Sequence, residues 1–329
     1  MVVNLEQLRG LSEVAETGNF TRAAENLHIA QPTLSRQIST LETELGVELL
    51  HRARGHVGLT AAGERLLPLA RRMLADAGTA RAEMAELAGL RRGRIRLGAT
   101  PTLCTSLVAE VLAEFHGQYP GIDIEILESG SRTLIAALLE GALDLALVVT
   151  SESSDAARAV LELEPILTER LVAVSAVAGD DPFPRVPVTV PELAAVPQIA
   201  FPENYDLRVA TDAAFREHGV TPLVAVEGAE MDAALRFAER GIGVAVVPAM
   251  VAALHPALRA APLADPALAR TVSIARRCDM APAHANAALQ TLIRGVADRL
   301  AAPGSATASL VERVGGMPRD RIGAVSDRG

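Results

Sequence analysis

The sequence has 329 residues, half of them hydrophobic, and a formal charge of -9, which suits two or three cored domains at roughly 100–200 residues each. All 31 basic residues are arginine, and the absence of lysine excludes Walker A nucleotide binding, Schiff-base catalysis and the Ser-x-x-Lys acyl enzymes. With no tryptophan, two tyrosines and six phenylalanines the chain cannot build a base-stacking platform for single strands.

The two cysteines, Cys104 and Cys278, are too few for a disulfide framework and are expected as buried thiols. No apolar run approaches the ~20 residues of a membrane helix. The start, MVVNLEQLRG, lacks a basic stretch followed by an apolar run. A cytoplasmic protein with no membrane partner is therefore expected. Residues 1–95 carry twelve Arg against eleven Asp and Glu; residues 96–329 carry nineteen against twenty-nine. Parts so different in charge are expected to meet different partners.

Residues 5–17 place Leu5, Leu8, Leu11, Val14 and Ala15 at helical spacing; Gly18 stops that helix and Asn19 can cap the next. A short helix over 20–27 and a third over 31–45, with Pro32 in its first turn, make a helix-turn-helix. On the third helix Leu34, Ile38, Leu41 and Leu45 form the apolar stripe. Arg36 projects from the opposite side beside Pro32, Ser39 and Thr40, with Thr33 and Ser35 at the margins. Small polar side chains let a helix approach the DNA major groove, and arginine can donate to guanine O6 and N7. An ordinary surface helix carries the same pattern.

Residues 49–60 read as a hairpin wing, with Arg52 and Arg54 placed to meet phosphates. The candidate DNA-binding residues are Thr21, Gln31, Pro32, Thr33, Ser35, Arg36, Thr40, Arg52 and Arg54. A long helix is expected over 61–90. Its residues Leu66, Ala70, Met73, Ala77, Ala80, Met84 and Leu87 alternate steps of four and three, which reads as a coiled-coil dimer seam.

RRGRIRLGAT, residues 91–100, marks a boundary, beyond which strands and helices alternate. Strands at 95–99, 122–127 and 143–149, with helices at 102–116 and 131–140, predict a parallel sheet. A second set follows in LVAVSAV, QIAF, LVAVEG and GVAVVP, with helices near 206–218 and 229–240. TVSIA at 271–275 and a helix over about 283–301 complete two α/β lobes with a cleft between them. Ligands of open α/β sheets collect beyond the carboxyl ends of strands. Here those ends carry Thr100, Thr102, Ser129, Ser131, Thr150, Phe201 and Glu227. Each hydroxyl there is equally a helix N-cap. Glu128 and Glu227 argue against a strongly anionic ligand.

Enzyme readings fail on residues. The seven histidines form no metal-spaced pair, Gly241-Ile242-Gly243 precedes a strand instead of following one, and no Gly-x-Ser-x-Gly elbow occurs. No catalytic residue, metal or cofactor is assigned. A solute receptor and an architectural DNA-binding protein with an idle cleft are the rivals. The first would bind no DNA and the second would ignore metabolites.

The block FTRAAENLHIAQPTLSRQISTLETELGVELLHR followed by LTAAGERLL resembles the LysR-type transcriptional regulators. FHGQYPGIDIEILESGS, LLEGALDLALV and ERGIGVAVVP extend the resemblance over residues 4–300. It departs at Leu50-His51-Arg52, where the family usually has Phe and then a residue before Arg, and in the tail after Ala302. The resemblance implies an α+β multidomain architecture. A winged helix-turn-helix DNA-binding domain would span 1–60 and a dimerising linker helix 61–90. An effector domain like the periplasmic binding proteins would span 91–301, with lobe I at about 91–165 and 271–301 and lobe II at about 166–270. Residues 302–329 are expected to be a disordered tail. It further implies a homodimer or homotetramer on double-stranded promoter DNA and a small-molecule coinducer, in loops that match the cleft positions above.

Overall fold

The computed structural model describes residues 3–53, 56–87, 93–150, 160–203, 205–279 and 284–314. Three helices open the chain: α1 (Leu5–Thr17), α2 (Phe20–Asn26) and α3 (Gln31–Leu45). Asn4 and Gln7 close a capping box on α1, and the Asn19 side chain accepts from the Thr21 and Arg22 amides to start α2. Gly18 and Gly46, at φ +62° and +71°, end α1 and α3 as left-handed caps. Leu8, Leu11 and Val14 of α1, Ala23 and Ala24 of α2, and Leu34, Ile38 and Leu41 of α3 share one buried core. Strands β1 (Leu50–Ala53) and β2 (His56–Leu59) pair antiparallel from Leu50↔Leu59 to Ala53↔His56 and form the wing.

Helix α4 (Ala61–Leu87) leaves this domain. The structure corrects the first part of the expected seam. Ala70 is fully buried in the helix-turn-helix core and Leu66 packs against it, because α4 lies along α1 before it emerges. Ala70 is closed to a partner helix, and Leu66 is half-buried. Met73 and Met84 are 49% and 59% exposed; Ala80 is exposed and Ala77 half-buried. The side chain of Leu87 lies outside the described residues, as do 88–92 of the expected boundary.

Lobe I is built on parallel strands in the order β4 (Ile122–Glu128), β3 (Gly93–Ala99), β5 (Leu145–Thr150). Two antiparallel strands extend the sheet past β5: β11 (Ala269–Arg277), then β6 (Leu161–Ala176). Side chains alternate across it, as strand geometry requires. Leu145 and Leu147 join Val111 and Phe115 on one face, with Leu289 and Ile293 of the terminal helix; Ala146 and Val148 join Leu134 and Leu138 on the other. The first face is covered by α5 (Pro101–Leu103), a π-helical turn (Cys104–Val108), α6 (Ala109–Gln118) and the late helix α12 (His284–Leu300). The second is covered by α7 (Ser131–Leu139).

Lobe II continues from β6 through α8 (Val190–Ala194), β7 (Gln198–Ala200), α9 (Asp206–Glu217), β8 (Val224–Glu227) and α10 (Met231–Glu239). Then come β9 (Ala245–Pro248), α11 (Ala249–Ala252) and β10 (Leu258–Pro262). Strands β9 and β10 pair with the second half of β6, and β7 pairs parallel with β8.

Strand β6 therefore crosses between the lobes without a turn. Ile166 and Leu167 lie in the lobe I core and Leu171 onward in that of lobe II, so the outgoing crossing falls a few residues later than expected. Pro165 sits opposite Ser273 while Leu167 sits opposite Val272, leaving Ile166 as a bulge. A proline inside a strand run hides the strand from a pattern reading.

The tail is a second correction. Residues 302–314 are ordered: Thr307 is 3% and Val311 1% exposed, and β12 (Val311–Arg313) pairs with β6 through Val311↔Glu169 and Arg313↔Leu167. Val311 packs into the core of lobe I and Leu310 against that of lobe II. Burial of these apolar side chains outweighs the small-residue composition that suggested disorder. Residues 315–329 lie outside the described residues.

Candidate DNA-binding surface and effector cleft

Helix α3 turns its apolar stripe fully inward, since Leu34, Ile38 and Leu41 are all 0% exposed. Gln31, Pro32, Thr33, Arg36 and Thr40 are consequently exposed, as is Thr21 on α2, and Ser35 is half-buried. The Thr40 hydroxyl donates back to the Arg36 carbonyl at 2.9 Å. Among the described residues Arg36 has no ion-pair partner. Glu42, one turn past this face, accepts from the Leu49 and Leu50 amides and fixes where the wing leaves α3. Arg52 lies in β1 opposite Val57. Its side chain and the whole of Arg54 lie outside the described residues.

In the effector domain the strand ends converge. Thr100 and Thr102 follow β3 and are 6% and 4% exposed; Ser131 opens α7 at 7%. None of these hydroxyls caps its helix. Among the described residues the Thr100 hydroxyl meets only that of Thr102, at 3.5 Å. The Ser131 hydroxyl accepts from the Val149 amide at 3.0 Å and so ties α7 to β5. Ser129 is half-buried, and its amide donates to the Ala99 carbonyl. Thr150 is known by backbone register alone, opposite Thr271; its side chain lies outside the described residues.

Two of the expected ligand residues are placed elsewhere. Phe201 is 3% exposed in the lobe II core and stacks on Tyr205 at 5.5 Å between centroids. Glu227 is a surface partner of Arg208 at 2.8 Å, and Asp212 holds the same guanidinium. An aromatic flanked by strand residues packs inward, and a carboxylate within reach of an arginine pairs with it.

The sequence reading missed a buried ion pair at the crossing. Glu169 of β6 is 0% exposed and Arg270 of β11, directly opposite in register, is 9% exposed. The Arg270 Nε donates to Glu169 Oε2 at 2.8 Å and its Nη1 donates to the Thr102 hydroxyl at 2.8 Å. The other Glu169 oxygen accepts from the Met250 amide of lobe II at 2.6 Å. One cluster thus joins both crossing strands, the end of β3 and α11. The Arg270 Nη2 is buried and has no hydrogen-bond partner among the described residues.

Cys104 lies one turn inside the cleft. Its thiol donates to the Ala99 carbonyl at 3.9 Å, and burial first, then the negative charge of Glu128, pushes it up to about 11. Cys278 is exposed, contrary to expectation, because it sits in the turn after β11. Among the described residues no group of three or more His, Cys, Asp and Glu could hold a metal, and no helix is long and apolar enough to cross a membrane.

Comparison with known proteins decides the family. The model of the lysR-family bacterial regulatory helix-turn-helix matches residues 5–64, and that of the LysR substrate binding domain matches residues 88–298. The chain belongs to the LysR family of transcriptional regulators. As a family member it is a DNA-binding regulator with an effector-binding domain. It is 33% identical over 276 residues to a probable nitrogen assimilation transcriptional activator of Synechococcus elongatus, covering 83% of this chain and 88% of that one. It is 29% identical to the regulator IlvR of Caulobacter vibrioides, covering 92% and 100%. Among solved structures, a full-length OxyR variant from Pseudomonas aeruginosa matches at TM-score 0.70 and 25% identity, covering 88% of this chain and 94% of that one. CbnR in complex with its target DNA matches at TM-score 0.63 and 26% identity, covering 89% and 99%.

Proposed function

We propose that the chain binds promoter DNA through α3 and the wing, as a homodimer or homotetramer in the cytoplasm, and that a small polar metabolite between the lobes alters DNA bending or spacing. The observation that carries the reading is the outward face of α3, where Gln31, Pro32, Thr33, Arg36 and Thr40 are exposed together. Thr21 and Ser35 extend this surface, and Arg52 and Arg54 belong to the proposal as phosphate contacts of the wing. Thr100, Thr102, Ser129 and Ser131 lie at the strand ends, with Thr150 there by backbone register, and support the cleft as the effector site. Control is then a shift between two assemblies, bounded by the ligand's differential affinity for them.

The test is a metabolite screen by thermal shift, followed by footprinting on the DNA upstream of the coding region. Thr102→Val is a poor probe, because its hydroxyl serves the buried Arg270. Thr100→Val is better: it removes one hydroxyl whose sole hydrogen bond among the described residues is 3.5 Å long. Loss of a ligand hydrogen bond worth about 0.5–1.5 kcal/mol should weaken effector binding roughly threefold to tenfold and leave basal DNA binding intact. A confirmed ligand that binds and shifts the variant as it does the wild type would show that the site lies elsewhere.

A further inference from the structure

Three parts of the chain enclose one cavity. Its volume is about 510 Å³, and its wall takes Arg9 from α1, Arg71 and Gly78 from α4, and Arg94, Arg96 and Asp144 from lobe I. That volume falls within the roughly 300–1,000 Å³ of small-molecule sites. The wall is polar. Ser12 and Thr79 add hydroxyls, Leu74 is its one large apolar side chain, and no aromatic residue lines it among the described ones.

Four arginines face this space against one carboxylate, Asp144. Arg96 is engaged at all three nitrogens: Nε and Nη2 donate to Asp144 and Nη1 donates to the Gly141 carbonyl. The other three keep donors. Arg71 gives Nη1 to Glu140, Arg94 gives Nη2 to Glu125, and Arg9 gives Nη1 to Glu6 at 3.3 Å. Their remaining guanidinium nitrogens have no hydrogen-bond partner among the described residues, and Glu6, Glu125 and Glu140 are not on the wall. The Arg9 and Arg94 side chains are 45% and 63% exposed, so an arriving ligand can reach them. Exposed ion pairs of this kind hold their partners weakly. The guanidinium fork matches the oxygens of a phosphate or carboxylate two at a time.

Helix α4 leaves this side open. At 100° per residue, Arg71, Leu74, Ala75, Gly78 and Thr79 centre about 180° from Leu69, Met73, Ala80 and Met84. A partner helix on that exposed stripe would stand on the far side of α4 from the cavity. Gly78 sits near the middle of the cavity side, with nothing within 4 Å of a Cβ. A glycine inside a helix weakens it, and no close packing requires one here. Its effect at this place is to keep the space unfilled.

We propose that the cavity is a second ligand site, for a hydrophilic metabolite carrying two or more negative charges on phosphate or carboxylate groups. One charged group pairs with Arg9 of the helix-turn-helix and another with Arg94 of lobe I, with Arg71 of α4 on the same wall. The ligand then ties the DNA-binding part to lobe I. A nucleobase finds no aromatic side chain to stack on. The site shares no residue with the candidates at the strand ends, so it stands whether or not an effector binds between the lobes.

The test is calorimetric titration of the full-length protein, at fixed ionic strength, with pyrophosphate, with citrate and with acetate. At least one of the two multiply charged probes should bind one site per chain with a Kd of about 1 mM or tighter, and acetate roughly tenfold more weakly or worse. Which of the two binds more tightly separates phosphate from carboxylate recognition. The double variant Arg9→Gln, Arg94→Gln should weaken the probe roughly tenfold or more. Gly78→Leu improves the helix and fills the cavity, so it should hold or raise the melting temperature and lose binding to the same degree; should it not fold, the arginine variant decides. Arg36→Ala and Thr100→Val should bind the probe as the wild type does. Binding by neither multiply charged probe overturns the proposal, and so does equal affinity for acetate or binding that survives in the glutamine variant or in a folded Gly78→Leu. Loss in Arg36→Ala or in Thr100→Val would put the anion on the DNA face or between the lobes and overturn it as well.

Discussion

At the residue scale, Arg36 concentrates the DNA reading. Every other charged side chain on α3 belongs to its carboxyl half, where Glu42 anchors the wing entry. Arg36 stands alone among small polar neighbours and has no partner to release before it meets a base or phosphate. Arg36→Ala should cost about 1–3 kcal/mol in specific binding, roughly a 5- to 150-fold loss, with the fold intact. A footprint titration that finds operator affinity unchanged would remove Arg36 from the interface. Its exposure could be read from the sequence, because Leu34, Ile38 and Leu41 at helical spacing dictate which way the rest of α3 faces. Arg270 and Glu169 could not be read that way. They sit 101 positions apart and become neighbours only through the register of two crossing strands. Nothing local marks either residue as different from the other arginines and glutamates. Phe201 failed for the opposite reason: its place at a strand end was legible, and the direction of its side chain was not.

At the element scale the lesson lies in α4. The heptad spacing from Leu66 to Leu87 is real, but one stripe serves two surfaces. Leu66 and Ala70 close the helix-turn-helix core, and only the residues beyond are free for a partner. Leu69, at 48% exposure, adds to Met73, Ala80 and Met84, and these four fall within about 60° of one another at 100° per residue. A dimer contact on this stripe would therefore begin near Leu69. Met73→Glu should put like charges into a dry interface and cost about 3 kcal/mol or more, roughly 100-fold in the dissociation constant. Sedimentation that finds the variant dimeric at unchanged affinity would exclude the stripe. Ala70→Glu would unfold the N-terminal domain and so report nothing about association. The last strand shows the same limit on local reading. Three residues of β12 carry no pattern of their own, and they are placed by the open side of β6 at the point where it crosses between lobes.

At the scale of the whole molecule, the three parts and their order were legible because each has its own period: helical spacing, then a heptad, then alternating strands and helices. How they touch was not legible. Lobe I meets α4 through Arg71–Glu140 at 2.7 Å, Arg72–Asp279 at 3.2 Å and Asp76–Arg277 at 3.4 Å. Such partly exposed pairs contribute about 0–1 kcal/mol each. Beside them a cavity of about 510 Å³ separates the parts, lined by Arg9, Leu74, Arg96 and Asp144 among others. Close packing is concentrated at Gly141, where a Cβ would stand 3.1 Å from the Arg72 Cα and 3.3 Å from the Ala75 Cβ. Gly141→Leu should push lobe I off the helix and cut the effector's influence on the footprint, while effector affinity stays within about threefold, since coupling and binding are separate free energies. Gly141 also has φ +71°, so the substitution strains the backbone by about 1–2 kcal/mol wherever the side chain goes. Gly241 supplies the control: it ends α10 as Gly141 ends α7, at the same φ of +71°, with nothing within 4 Å of a Cβ. Gly241→Leu should lose similar stability and keep the footprint response. If both variants respond to effector as the wild type does, the Gly141 contact is not the route from cleft to DNA. If both lose the response, backbone strain accounts for the loss and the helix contact does not.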